Sequence, residues 1–130
     1  MIGNDDWHLA NLHNLKLIEP VKGNKMLLGA VPYDFDYVGL VQTYYAIPNK
    51  IYGLEDIRSR IYIGPCRSDE SIRELMQFFM DHKQEFYDEI EKIDFVNDNQ
   101  KKKTLKYIDS FYDEYKRDLL FFSIKAGCFK

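Results

Sequence analysis

The stretches NDDWHLAN (residues 4–11) and PYDFD (residues 32–36) decide how this 130-residue chain is organised. Both are rich in carboxylate and amide side chains, whereas residues 14–31 between them are mostly apolar and carry turn residues in their middle. This pattern is typical of a β-hairpin, in which the chain returns to the edge where it started. We therefore expect the hairpin to bring the two polar stretches together.

The hairpin has the pattern of two half-buried strands. Residues 15–19 (LKLIE) alternate apolar and polar side chains, and residues 26–31 (MLLGAV) form the returning strand. Residues 22–25 (KGNK) contain a Gly and an Asn, which tolerate positive φ in turns. Pro20 and Pro32 end the two strands, because proline cannot donate to a strand ladder.

Residues 37–67 predict a long loop region. Five glycine or proline residues interrupt this segment, and no hydrophobic period is sustained across it. We expect one short helix at residues 54–60. The segment also holds five tyrosines, which can pack the loop against a compact domain.

The remainder, residues 68–130, predicts helices. Ser68 or Asp69 supplies an N-cap, and apolar residues then recur at helical spacing as far as Ile93. A polar break at residues 94–100, with Asn97 and Asp98 as capping candidates, precedes a second helical pattern that ends near Gly127. The sequence therefore predicts an α+β fold with a hairpin, a long loop and a C-terminal bundle of two or three helices.

Composition and charge exclude several classes of protein. Hydrophobic residues make up 45% and charged residues 30% of the chain, as in ordinary globular proteins. The formal net charge of -3 argues against a general binder of nucleic acid or of anionic membranes. No stretch approaches the roughly 20 apolar residues that span a bilayer. Asp5 and Asp6 precede any apolar run, unlike a signal peptide.

The two cysteines, Cys66 and Cys128, are far apart, and neither belongs to a Cys-x-x-Cys pair. This spacing indicates neither a metal ribbon nor a disulfide framework. We therefore expect two reduced thiols and predict a cytoplasmic location.

The polar stretches offer the groups that phosphoryl transfer requires. That reaction needs a carboxylate near the attacking hydroxyl and oxygen ligands that hold Mg²⁺ on the phosphates. Asp6 suits the first role, and the side-chain oxygens of Asn11 and Asp34 suit the second. Asn14 competes with Asn11 as the amide ligand. Each of these residues also has an ordinary use as a cap or turn residue.

The N-x-D-x-H-x-x-N pattern of residues 4–11 resembles the catalytic loop of HipA-type serine/threonine kinases. Its D-x-H-x-x-N core is similar to the catalytic loop of phosphoinositide kinases, and residues 33–35 (YDF) resemble the metal-binding segment that follows in both families. The resemblance covers residues 4–36. It implies the C-terminal lobe of a kinase-like phosphotransferase that uses ATP and Mg²⁺.

The resemblance also implies a role for individual residues. Asp6 would be the catalytic carboxylate, and His8 would order the loop or face the phosphates. Asn11 and Asp34 would bind the nucleotide through Mg²⁺ as metal ligands. Asp36 replaces the glycine of the protein-kinase Asp-Phe-Gly, so it either stiffens the segment or adds a metal ligand. The implied partners are a nucleotide and a protein or small-molecule phosphoacceptor.

Kinase-like folds place a nucleotide-binding lobe before the catalytic loop, whereas only three residues precede Asn4 here. We therefore expect residues 1–130 to form a single C-terminal lobe, as a fragment of a longer kinase or as a relic. The outer edge of the hairpin and the surface of residues 10–14 are then expected to expose apolar area.

Two other interpretations stay open. The chain could be a non-catalytic interaction module that keeps the kinase-like fold and binds a partner through the aromatic loop at residues 37–62. Alternatively, Asp5, His8 and His13 could hold zinc, although the two histidines lack the i,i+4 spacing of helical zinc sites.

Overall fold

The computed structural model describes residues 1–8, 12–19 and 28–129. The predicted hairpin turn at residues 22–25 and the predicted metal ligand Asn11 lie outside these ranges.

The chain forms two compact units. The N-terminal unit is Ile2–Arg60, and the helical unit is Ile61–Lys130 together with Met1. The N-terminal unit contains the β-strands and the helical unit contains the α-helices, which confirms the predicted α+β fold of a hairpin followed by a helical bundle. A single kinase-like lobe over residues 1–130 stays a prediction.

The hairpin consists of β1 (Leu15–Ile18) and β2 (Gly29–Pro32), which pair antiparallel with Ile18 opposite Gly29. The expectation of half-buried strands is wrong. Apolar side chains of both strands are exposed, including Ile18 at 54%. A two-stranded hairpin has no second layer of its own, so the alternation in its sequence does not by itself bury a face.

The start of the chain pairs with the segment that follows PYDFD. Asn4 forms an antiparallel bridge with Val38, and the Gly39 N–H donates to the Gly3 carbonyl oxygen at 2.6 Å. Val38 is buried. This pairing, together with the hairpin, holds the two polar stretches side by side.

The prediction of a helix at residues 54–60 is wrong. The segment forms turns, in which the Ser59 N–H donates to the Asp56 carbonyl oxygen at 2.9 Å. A 3₁₀ turn lies just before it at Lys50–Tyr52, where the Asn49 side chain accepts from the Ile51 N–H.

In the helical unit, each of the two predicted helical stretches begins at a predicted cap residue. The Ser68 side chain accepts from the Ser71 N–H, and Asn97 forms a reciprocal capping box with Gln100. The helices are α1 (Asp69–Asp81), α2 (Lys83–Glu91), α3 (Asp98–Lys116) and α4 (Leu119–Gly127).

Each of the two predicted helical stretches is divided in two. His82 separates α1 from α2, and its Nδ1 lies 2.8 Å from the Phe78 carbonyl oxygen. Asp118 separates α3 from α4 because its backbone is left-handed, with φ of 56°. Within the described ranges, no helix combines the length and the apolar character needed to cross a membrane.

The core of the helical unit is rich in aromatic side chains. The Tyr112 hydroxyl donates to the Phe79 carbonyl oxygen at 3.0 Å, so this buried phenol has a partner. The other buried side chains are Ile72, Met76, Tyr107, Ile108, Phe111, Leu120 and Phe121.

Cys66 and Cys128 form a disulfide, so the expectation of two reduced thiols is wrong. The Phe129 N–H donates to the Gly64 carbonyl oxygen at 3.1 Å, and the Cys66 N–H donates to the Phe129 carbonyl oxygen at 3.0 Å. These backbone bonds place the end of α4 beside the segment that precedes α1. Sequence spacing did not reveal this pairing because it depends on how the helices fold back. The cytoplasmic location stays a prediction.

Candidate functional site

Asp6 lies in a network that fixes both its backbone and its carboxylate. The Asn4 side-chain oxygen accepts from the N–H groups of Asp6 (2.7 Å) and Trp7 (2.9 Å). The Asn14 amide donates to Oδ2 of Asp6 at 2.7 Å. His13 Nδ1 lies 2.8 Å from the Asp6 carbonyl oxygen and 3.6 Å from Oδ1. The carboxylate is therefore oriented while its side chain stays 32% exposed.

Asp34 forms a carboxyl pair with Asp36 and adopts a left-handed backbone, with φ of 59°. The side-chain hydrogen bond with Asp36 raises the pKa of Asp34 above its ordinary value, and desolvation and the charge of Asp36 act in the same direction. The charge of Asp6 also raises the pKa of Asp34. Asp6 therefore lies within electrostatic reach of the pair.

Two side chains of the following loop hold Asp36. The Thr43 hydroxyl donates to the Asp36 carbonyl oxygen at 2.9 Å. The phenol of Tyr45 is hydrogen-bonded to the Asp36 side chain, and this bond raises the pKa of Tyr45. Asp36 is thus held through its backbone and through its carboxyl group, and its predicted role as an added metal ligand stays a prediction.

Trp7 connects the two polar stretches. Its indole Nε1–H donates to the carbonyl oxygens of Tyr33 (3.0 Å) and Asp34 (3.1 Å). Its ring also packs edge-on against Phe35, with centroids 4.9 Å apart and planes at 90°. The residue after Asp6 therefore contacts the backbone on both sides of the Asp34 α-carbon.

His8 is engaged by an aromatic partner. Its Nε2 lies 3.3 Å from the Tyr52 hydroxyl, and the two rings stack with centroids 6.0 Å apart. The His8 backbone also exchanges hydrogen bonds with His13, at 3.1 and 3.0 Å. These contacts give His8 a loop-ordering position. A role facing phosphates stays a prediction.

The zinc interpretation is wrong. Asp5 is only 6% exposed, and its Oδ2 accepts from the Asn49 N–H at 2.7 Å, so this carboxylate secures the loop. Across residues 1–8, 12–19 and 28–129, no three His, Cys, Asp or Glu side chains are arranged to hold a metal ion.

The donor atoms of Asp34 and Asp36 nevertheless fit Mg²⁺. This cation prefers oxygen ligands, and in phosphotransferases one or two carboxylates share it with phosphates and water. Two adjoining carboxyl groups meet that requirement without a third acid. Asn11, the remaining predicted ligand, lies outside the described residues, whereas Asn14 uses its amide nitrogen to bind Asp6.

Several residues of the site were not assigned to it from the sequence. Trp7 was given no role there, and Thr43 and Tyr45 lie in a loop without a local motif. His13 entered only as a zinc ligand. The spacing of Tyr45 from PYDFD carries no signal, but a Trp inside a polar loop is a signal that could have drawn attention to Trp7.

The candidate site therefore consists of Asp6, Asp34 and the residues that contact them. Its carboxylates are those that the resemblance to HipA-type and phosphoinositide kinases selects. Comparison with known proteins finds no family model, no curated protein and no solved structure that matches this chain.

Proposed function

We propose that this chain is the catalytic-loop portion of an ATP- and Mg²⁺-dependent phosphotransferase, similar to HipA-type and phosphoinositide kinases. It acts when a nucleotide-binding lobe completes it. The observation that carries the proposal is the pair of hydrogen bonds by which Trp7, the residue after Asp6, binds the Tyr33 and Asp34 carbonyl oxygens, because they bring Asp6 into the same site as Asp34 and Asp36. Phosphoryl transfer needs this combination of a separate acid and a metal-binding acid.

In this proposal Asp6 accepts the proton of the attacking hydroxyl. Its carboxylate is oriented by Asn14 through Oδ2 and approached by His13 at Oδ1, which leaves the group ordered but accessible. Proton acceptance requires a carboxylate within hydrogen-bond reach of the acceptor hydroxyl. A fixed orientation increases the fraction of encounters that meet this geometry.

Asp34 and Asp36 hold Mg²⁺ in the proposed enzyme, with Asn11 as the amide ligand. When bound, Mg²⁺ neutralises charge on the phosphates and aligns the transferred group. The Thr43 hydroxyl holds the Asp36 backbone from the following loop, which limits how far the carboxyl group of Asp36 can move away from that of Asp34. The phosphoacceptor is a protein or a small molecule.

Titration with Mn²⁺, followed by electron paramagnetic resonance, tests the proposal on the full chain. We expect the wild type to bind Mn²⁺ saturably and to release it when Mg²⁺ is added. Asp34→Asn should weaken binding at least tenfold. Glu55→Gln, which removes one exposed acid from the same unit, should leave binding unchanged. A wild type without saturable Mn²⁺ binding would contradict the proposal.

A second candidate function is a non-catalytic interaction module, and exposed apolar side chains of the loop favour it. Tyr44 is 99% exposed, and Ile47 and Ile51 also project into solvent. Large apolar side chains exposed together are typical of binding surfaces. A partner that binds the wild type and Asp34→Asn equally, but not Tyr44→Ser, would favour this function over the enzyme.

A further inference from the structure

The conformation of Asp34 is the feature that the proposed chemistry leaves unexplained. Its φ of 59° lies in the left-handed region, which L-residues seldom adopt. The conformation determines where the carboxyl group projects from the chain, and therefore whether it lies beside Asp36. Something outside the residue must favour this conformation over the extended one.

The indole of Trp7 supplies that preference. Its Nε1–H donates to the Tyr33 carbonyl oxygen at 3.0 Å and to the Asp34 carbonyl oxygen at 3.1 Å. The first oxygen belongs to the peptide plane before the Asp34 α-carbon, and the second belongs to the plane after it. A single donor that binds both oxygens requires the two carbonyl groups to point in a similar direction, and it therefore restricts φ and ψ of Asp34.

A shared donor is compatible with only some backbone conformations. In helical conformations of either hand, consecutive carbonyl groups point in a similar direction, so one N–H can reach both. In an extended chain they point in opposite directions, and one N–H cannot reach both. The bond from Trp7 is thus lost whenever Asp34 becomes extended.

We propose that Trp7 is a positioning residue, whose indole N–H keeps Asp34 out of the extended conformation and so keeps its carboxyl group on the side of Asp36. This inference deepens the proposed function and rests on it for the identity of Mg²⁺ as the ligand. Trp7 is joined to Asp6 by a peptide bond, and the Asn4 side chain accepts from both of their N–H groups. Residues 4–7 therefore carry the proposed base, Asp6, and also the side chain that positions the proposed metal ligand, Asp34.

A role in packing alone is the alternative, since the Trp7 ring also contacts Phe35 at 4.9 Å. The two roles use different parts of the side chain. Packing needs the shape of the ring, whereas positioning needs the N–H. A substitution that keeps the shape and removes the hydrogen distinguishes them.

The composition of the chain makes such a substitution feasible, because Trp7 is its single tryptophan. Growth of a tryptophan auxotroph on 3-benzothienylalanine replaces the indole N–H by sulfur at this position alone, with nearly the same shape. Growth on 5-fluorotryptophan gives a matched control that keeps the N–H. Trp7→Phe is a genetic variant that also lacks the donor.

Two measurements read the result. The first is the amide–amide NOE between Asp34 and Phe35, which is strong for a left-handed residue and weak for an extended one. The second is the affinity for Mn²⁺ at fixed pH. With benzothienylalanine we expect a weakened NOE, a shifted Asp34 carboxyl carbon resonance and an affinity about fivefold lower, the factor that corresponds to one net hydrogen bond. The fluorinated control should match the wild type.

The outcomes separate this inference from the proposed function. An unchanged Asp34 NOE and carboxyl resonance in both donor-free proteins would overturn the positioning role, whatever the metal affinity. A weakened NOE in the donor-free proteins, together with a wild type that binds no Mn²⁺, would support the role of Trp7 in setting the Asp34 backbone and refute the magnesium site. If a donor-free protein fails to fold, fast exchange of the Gly39 amide, which is bonded to the Gly3 carbonyl oxygen in the same unit as Trp7, reveals it, and the other donor-free protein decides.

Discussion

Reduction of the Cys66–Cys128 disulfide is expected to destabilise the helical unit strongly. The bond joins the segment before α1 to the residue after α4, so it closes a loop that contains all four helices. The backbone bonds between Phe129 and the segment at Gly64–Cys66 do not depend on the sulfur atoms. We therefore expect the folded unit to keep its arrangement on reduction, with the main effect in the unfolded chain.

The sequence separation of the two cysteines gives the magnitude. A cross-link between residues 62 apart restricts the unfolded chain by an amount that corresponds to about 4 kcal/mol in the free energy of unfolding. Small proteins have a total stability of about 5–15 kcal/mol, so this is a large share. For a unit of this size the same change corresponds to a fall in Tm of roughly 15–30 °C.

Urea denaturation followed by far-ultraviolet circular dichroism measures the effect. The oxidised protein should unfold at a clearly higher urea concentration than the reduced protein or the Cys66→Ser/Cys128→Ser variant. That variant should not respond to reductant, which controls for other effects of the reagent. Equal midpoints for the oxidised and reduced protein, or two free thiols in the untreated native protein, would refute the reasoning. Because disulfides are typical of oxidising compartments, the thiol count also bears on the predicted cytoplasmic location.

Three further predictions concern single side chains. Burial and the hydrogen bond to Asp109 raise the pKa of Tyr87 above its ordinary value of 10.0, so the folded state retains this proton more tightly and loses stability as the pH rises beyond that value. Tyr87→Phe should therefore lessen the fall in the urea midpoint between about pH 9 and pH 11, and an equal fall would contradict this. Asp36→Asn should lower the pKa of Asp34 toward its ordinary range, because the side-chain hydrogen bond with Asp36 is the main cause of the increase. A carboxyl ¹³C NMR titration measures the pKa of Asp34, and an unchanged value in the variant would argue against the interaction. Asn97→Ala should lower the free energy of unfolding, measured by urea denaturation, by about 1 kcal/mol, because it removes the cap of α3. An alanine substitution at an exposed position within the same helix should lower it little, and equal losses in the two variants would count against the cap.

Local features of the fold could be predicted because their causes lie within a few residues. The caps at Ser68 and Asn97 and the pairing of β1 with β2 follow from short patterns of side chains and turns. The breaks at His82 and Asp118 could not be predicted, since neither a proline nor a glycine marks them.

Long-range features depend on tertiary structure that the sequence does not display. The disulfide needs α4 to return to the segment before α1, and spacing along the chain contains no measure of that distance. The exposure of the hairpin also depends on tertiary structure. Alternation predicts a face that can be buried, but burial itself requires a second layer.

The candidate site was partly predictable for the same reason. Asp34 and Asp36 are two residues apart in a recognisable motif, so their proximity needed no knowledge of the fold. The contact between Asn14 and Asp6 depends on the left-handed backbone of Asn14, with φ of 53°, and the motif selected Asn11 instead. The predicted hairpin brings Trp7 near Asp34, but the sequence does not show that the indole N–H binds the Asp34 backbone.

The central claim is that Asp34 and Asp36 bind a divalent cation beside Asp6. The most direct measurement is a Mg²⁺ titration of the protein labelled with ¹³C at its aspartate carboxyl groups. The account predicts saturable shifts of the Asp34 and Asp36 resonances at the same Mg²⁺ concentration, a smaller shift for Asp6, and none for exposed helix acids such as Asp69. Small, unsaturated shifts shared by all aspartates, or no shift of Asp34, would contradict it.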